Sequence, residues 1–95
     1  MEEGNAIWKM ATGVRFRRLF DEAMLIREGV DDAMVLNETG VSFLELCDGV
    51  RTADEIVGVM AWNFEVGLEE LEADMAVFIA ELAAEGIIEP VQEAL

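Results

Sequence analysis

The sequence has no histidine, no tyrosine, one proline and one cysteine among its 95 residues. Without histidine, imidazole is unavailable for acid–base catalysis, and the usual zinc-ligand sets cannot form. The lone Cys47 excludes an internal disulfide bond, which fits a reducing compartment. No apolar run reaches the roughly 18 residues that span a bilayer, and the acidic start is not typical of a secretory signal. We therefore expect a cytoplasmic protein without a membrane partner.

Basic residues are also scarce, and they are missing altogether from residues 52–95. The chain has 6 basic and 21 acidic residues, for a net charge of −15. Duplex DNA carries one negative charge per about 1.7 Å and would be repelled, so we expect no nucleic-acid partner. Cationic peptides and basic protein surfaces are the favoured partners, because opposite fields speed encounter. Solubility alone is the competing explanation for so much acid.

What the chain does contain is a run of strand signals followed by helix signals. Residues 14–19 alternate apolar and basic side chains, and two further short apolar runs follow at 23–27 and 33–36. Such close spacing predicts a three-stranded antiparallel meander. Residues 1–13 look like a flexible arm in which Trp8 is an apolar anchor for the body or for a partner. Residues 92–95 are a short tail, so that 14–91 is the predicted domain.

From Asn37 onward the apolar period changes to that of a helix. Asn37 is a good N-cap, and Gly49 stands where a first helix would stop. Thr52 and Glu55 have capping-box spacing and open a second helix. The third helix is predicted from 68 to 85, with the apolar stripe Leu68, Leu71, Met75, Phe78 and Leu82. Residues 87–91 are predicted to form a short extended tail that Pro90 confines to a sheet edge or to no sheet. The fold class is therefore α+β and winged-helix-like, a three-stranded antiparallel sheet followed by three helices.

The same residues give catalysis little support. Cys47 lies on an apolar helix face, where a buried structural thiol is the expected role. The acids of the third helix lie mainly opposite its apolar stripe and lack calcium-loop spacing. Phosphate-binding glycine loops are absent from the sequence. We expect neither an enzyme nor a cofactor or metal.

The stretch from 35 to 60 combines Leu36-Asn37, Thr39, Leu44, Leu46, Cys47-Asp48-Gly49, Arg51-Thr52 and Glu55-Ile56. In this combination it resembles the PqqD family. A later helix of the family is matched at Asp74, Phe78, Ile79, Leu82, Gly86, Ile87 and Ile88. Together these matches cover about residues 14–90. They imply a non-catalytic recognition element for ribosomally made, post-translationally modified peptides, as in pyrroloquinoline quinone biosynthesis. Such a module holds the leader segment of a precursor peptide and presents it to a modifying enzyme, here expected to be a radical S-adenosylmethionine protein.

The free edge of the third predicted strand is where an extended leader would add. The third strand and the third helix are expected to frame this groove, and the acids there favour a leader with Lys or Arg beside apolar anchors. The predicted peptide-binding residues are Ala33, Met34, Val35, Leu36, Glu72, Asp74, Met75, Ala76, Ile79 and Ala83.

Other interpretations compete with leader recognition, in three groups. A winged-helix regulator would need basic or amide side chains on its DNA-contacting helix, and residues 68–85 have none. An acyl-carrier-like protein would need a serine in an Asp-Ser-Leu context, whereas Ser42 lies between valine and phenylalanine. The third interpretation is an acidic protein–protein adaptor, or a winged-helix regulator that does not use DNA contacts.

Overall fold

The computed structural model describes residues 6–91. These residues form six strands and three helices. In chain order the elements are β1 (Ile7–Met10), β2 (Val14–Leu19), β3 (Glu22–Arg27), β4 (Met34–Leu36), α1 (Glu38–Leu46), β5 (Asp48–Thr52), α2 (Ala53–Phe64), α3 (Leu68–Ala84) and β6 (Ile88–Pro90).

The predicted meander is present as the antiparallel sheet β2-β3-β4. Its register pairs Phe16 with Leu25, and Leu25 with Met34, so these three side chains share one face. That face covers the core, where Leu25 is fully buried. Val35 points to the other face and is 65% exposed, as the alternation predicts. Ala33 was predicted to belong to the third strand, but it precedes β4.

The helices α1 and α2 begin where the capping signals place them, whereas α3 begins after Gly67 without a side-chain cap. The Asn37 side chain accepts a hydrogen bond from the Gly40 N–H at 3.0 Å and starts α1 one residue after β4 ends. Thr52 and Glu55 form both hydrogen bonds of a capping box at the start of α2. At the other end of α3, no basic residue lies in the last turn, but Arg27 of β3 donates to the Glu85 carbonyl at 3.0 Å. This contact joins the meander to the helix and complements its C-terminal dipole.

A second sheet, β5-β1-β6, was not predicted from the sequence. The flexible arm over residues 1–13 is wrong for residues 7–10, which form β1 at the centre of this sheet. The folded unit therefore begins before residue 14, while residues 1–5 and the predicted tail at 92–95 lie outside the described residues. The partners of β1 are distant in sequence, since Ile7 is opposite Thr52 and Trp8 is opposite Pro90. Because these partners are far away in the sequence, the four residues of β1 show no local pattern that would predict a strand.

The stretch after α1 is also a strand rather than only a turn. Asp48 shapes its start, because its Oδ1 accepts hydrogen bonds from the N–H groups of Val50 and Arg51. These two bonds are the main reason why the pKa of Asp48 is lowered, since both stabilise the ionised carboxylate. Gly49 adopts a positive φ of 80°, a conformation that favours glycine. The expected glycine stop is thus a turn into β5, and the arrangement is not three strands followed only by helices.

Both sheets and all three helices contribute to one hydrophobic core. Phe43 at its centre is fully buried and meets Phe78 edge to face, with ring centroids 6.2 Å apart. Leu71, Met75 and Leu82 of the predicted α3 stripe are buried. Leu68 was expected in that stripe but is 49% exposed, so the buried part of the stripe begins at Leu71. Helix α3 packs mainly against α2 and β6, and it borders β4 on one side and Trp8 of β1 on the other across two grooves.

Candidate functional site

The outer edge of β4 is the first feature of the candidate site. In the meander β4 pairs with β3 alone, through Ala23–Leu36, Met24–Val35 and Leu25–Met34. Within residues 6–91 no strand pairs with its other edge. Alternate backbone N–H and C=O groups along that edge are therefore left to solvent or to an added strand.

A groove runs between this edge and α3, and we call it the β4 groove. Its cavity volume is about 490 Å³. Leu36 and Met75 form its floor and are only 3% and 4% exposed, while the half-buried Phe78 forms part of the α3 wall. Asn37, Thr39 and Gly40, at the start of α1, close one end. An apolar floor beside an open strand edge offers both side-chain burial and main-chain pairing.

Gly40 gives the aromatic ring of Phe78 the space that it occupies. A Cβ added at Gly40 would lie 3.1 Å from Phe78 Cζ and 3.4 Å from Leu36 Cβ. The absence of a side chain on α1 thus lets the ring lie between the helix and the strand. Sequence reasoning placed Phe78 in the core and did not single out Gly40, since nothing in the local pattern shows which ring a glycine faces.

The charged residues that line the β4 groove are both acidic. They are Glu22 at the start of β3, which pairs with Leu19 of β2, and Asp74 of α3. Both carboxylates are exposed, and the groove has no basic lining residue among the described residues. The local field therefore favours a cationic side chain in this groove.

A second groove lies on the opposite side of α3, and we call it the Trp8 groove. It is lined by Trp8 of β1, by the start of α2 and by α3, with a cavity volume of about 640 Å³. The Trp8 Nε1 atom is buried and has no hydrogen-bond partner among residues 6–91. Trp8 packs against the core, so the anchor predicted for the arm docks on the body.

The structure divides the predicted peptide-binding residues between the two grooves. Val35, Leu36 and Asp74 line the β4 groove, and Met75 lines both. The other four predicted α3 residues line the Trp8 groove instead: Glu72, Ala76, Ile79 and Ala83. Ala33 and Met34 line neither groove, and Met34 packs against the core. The prediction thus took both margins of α3 as one surface, whereas the two margins line different grooves.

Five lining residues of the β4 groove were not predicted to bind. They are Glu22, Asn37, Thr39, Gly40 and Phe78. The register of the meander would have suggested Glu22, and the i, i+4 spacing of Asp74 and Phe78 puts both on one helix face. That spacing was the available signal, since Asp74 was already a candidate.

Groups for covalent or metal chemistry are poorly placed. Burial, and next the charge of Asp48, raise the pKa of the Cys47 thiol to about 11. The thiol is therefore protonated at neutral pH and is a weak nucleophile. Over the described part of the chain, no three His, Cys, Asp or Glu side chains are grouped to hold a metal ion.

No described helix is both long enough and apolar enough to cross a bilayer. The longest, α3, has 17 residues and carries acids along its exposed side.

These features define a class: a small α+β domain with an open strand edge beside an amphipathic helix. Residues 22–88 match the profile of the family described as coenzyme PQQ synthesis protein D (PqqD), and the chain belongs to that family. It is 28% identical over 89 residues to a PqqA binding protein of Rhizobium meliloti (strain 1021). That alignment covers 94% of this chain and 91% of the relative.

Two solved structures have the same fold. One is TbiB1 in complex with the TbiA(beta) leader peptide, with a TM-score of 0.76 and 21% identity, covering 90% of this chain and 99% of TbiB1. The other is the heterocyclase TruD, with a TM-score of 0.63 and 15% identity. This match covers 95% of this chain but only 12% of TruD, so the fold corresponds to a small part of that enzyme.

Proposed function

We propose that the chain binds the leader segment of a ribosomally made precursor peptide in the β4 groove. The observation that carries the proposal is the open edge of β4 facing the apolar residues of α3. An extended leader would add as a fourth strand, and its inward side chains would enter the space between Leu36 and Phe78. The R. meliloti relative is named for binding PqqA, and TbiB1 was solved with a leader peptide, which supports this class of ligand.

The two acidic residues of the β4 groove predict a sequence preference for the bound leader. A leader with Lys or Arg flanking its apolar anchor would place the cation near Glu22 and Asp74. At exposed positions each such pair contributes only about 0.2–1 kcal/mol, so charge adjusts the choice of peptide while apolar burial supplies most of the affinity.

In this proposal the chain does not catalyse the modification itself. It holds the leader and presents the rest of the peptide to a modifying enzyme, in the cytoplasm. A radical S-adenosylmethionine enzyme is the partner that the PqqD resemblance implies. The fold's match to part of a heterocyclase supports the idea that such a domain works beside modifying chemistry.

The proposal is tested by calorimetric titration with the PqqA peptide of R. meliloti, unmodified and with a single N-methyl group moved along its backbone. Strand addition uses alternate N–H groups, so methylation should weaken binding by about tenfold at every second residue of the bound segment. A uniform or absent effect would contradict strand addition. Failure of the unmodified peptide to bind would overturn this ligand class and favour the acidic adaptor.

A further inference from the structure

The Trp8 groove is the larger of the two cavities, and leader addition at β4 does not use it. The two grooves lie on opposite sides of α3 and share only Met75. Met75 is 4% exposed, so it separates the cavities rather than joining them. A ligand of the Trp8 groove therefore needs its own explanation.

An extended peptide does not fit the Trp8 groove by strand addition. Among the described strands only β1 lines it, and both edges of β1 are already paired, with β5 and β6. An occupant must therefore satisfy its own backbone hydrogen bonds, because an apolar groove cannot supply partners for them. A helix satisfies this condition internally.

The α3 side of the groove has the shape that helix packing requires. Four alanines at 73, 76, 80 and 83 follow the 3-4-3 spacing of one helix face. Small side chains along a ridge let a second helix approach to the short end of the usual 8–10 Å interaxial range. From Glu72 to Ala83 the groove is ~17 Å long, at a rise of about 1.5 Å per residue, which matches three helical turns.

The chemistry of the groove walls specifies the faces of that helix. Val57, Ile79 and the indole of Trp8 present apolar surface, which calls for an apolar stripe on the partner. Asp54 and Glu72 are the charged lining residues, both exposed and both acidic. Because residues 52–95 contain no base, a basic flank on the partner meets only complementary charge from α2 and α3.

We propose that the Trp8 groove receives a three-turn amphipathic helix with an apolar stripe and a Lys- or Arg-rich flank, presented by the modifying enzyme. The role of the enzyme rests on the proposed function, whereas the chemistry of the helix rests on the groove alone. Peptide and enzyme then engage opposite sides of α3, so that one helix connects the two binding events.

The helix is tested with a synthetic 14-residue peptide of leucine and lysine arranged at helical period. The two tryptophans are Trp8 and the exposed Trp62, so a Trp62→Phe background isolates the fluorescence of Trp8. Titration with the helical peptide should shift the wavelength of the Trp8 emission, and the shift should reach a plateau as the groove is filled. A peptide of the same composition but with strictly alternating residues is the control, since its period suits a strand.

Two matched substitutions locate the binding. Ala80 and Ala84 are both exposed alanines of α3, but only Ala80 lines the groove. In the Trp62→Phe background, Ala80→Leu should weaken binding of the helical peptide by about tenfold, because the larger side chain fills the groove. Ala84→Leu should leave the affinity within about twofold of the value for the Trp62→Phe protein. Equal effects of the two variants, or an unchanged Trp8 emission on titration, would overturn the proposal.

A third titration separates this proposal from leader recognition. Ala80→Leu should bind the PqqA peptide as tightly as the parent chain, since Ala80 does not line the β4 groove. Loss of both ligands in Ala80→Leu would overturn the assignment of two separate grooves. Helix binding without any PqqA binding would overturn leader recognition while leaving the Trp8 groove assignment intact.

Discussion

At the scale of single residues, two helical glycines have opposite surroundings. A Cβ on Gly40 in α1 would lie 3.1 Å from Phe78 Cζ, whereas a Cβ on Gly58 in α2 would meet nothing within 4 Å. The first glycine is required by a neighbouring ring, and the second is not required by any contact among the described residues. The same substitution should therefore produce different results at the two positions.

Gly58→Ala should stabilise the protein by about 0.5–1 kcal/mol, because alanine has the higher helix propensity. Gly40→Ala gains the same propensity but crowds Phe78 and Leu36, a contact that costs about 1–3 kcal/mol in a packed site. We expect Gly40→Ala to be less stable than Gly58→Ala in urea unfolding, and to bind the PqqA peptide more weakly. Equal stability and equal affinity of the two variants would contradict the role of Gly40 in shaping the β4 groove.

At the scale of elements, the sequence was informative where structure is local. The alternation over residues 14–19 predicted β2, and the caps at Asn37 and Thr52 predicted the starts of α1 and α2. The second sheet was missed because β1 and β5 meet across a long stretch of chain, and because Asp48 and Gly49 form a turn whose strand role depends on β1. Long-range pairing of short strands leaves almost no periodic signal.

The periodicity of the sequence could not show which margin of α3 lies beside β4. An apolar stripe shows which helix face is buried, but not which neighbour lies beyond each margin. Here Asp74 faces β4, and Glu72, two residues earlier, faces Trp8. Most of the predicted margin residues of α3 therefore line the Trp8 groove and not the β4 groove.

That arrangement makes a charge-reversal pair on α3 informative. Asp74→Lys and Glu72→Lys change the net charge equally, and both carboxylates are exposed. For a leader with a lysine beside its apolar anchor, Asp74→Lys should weaken binding by about threefold to tenfold, and Glu72→Lys should have a smaller effect. Calorimetry at low salt measures both affinities.

The control is the same leader with that lysine replaced by glutamine. The two variants should bind this control leader with similar affinities. A larger loss for Glu72→Lys than for Asp74→Lys would contradict the assignment of the leader to the β4 groove.

At the scale of the whole molecule, the charge distribution and the two grooves have a common arrangement. All the basic residues lie within residues 1–51, while α2 and α3 carry only acids. Both grooves border α3, so each presents an acidic rim around an apolar floor or wall. A strongly anionic domain of this kind repels its own copies and attracts basic segments over about the Debye length, ~10 Å at 0.1 M salt.

The central claim is that a peptide strand adds to the open edge of β4. Amide hydrogen exchange, followed by NMR with and without the PqqA peptide, tests it most directly, because exchange reports which N–H groups gain a partner. We predict slower exchange at those amides of Met34–Leu36 that point away from β3, with little change in β1 or β5. Unchanged exchange along β4, with protection appearing at the edge of β5 or β6 instead, would contradict strand addition at β4.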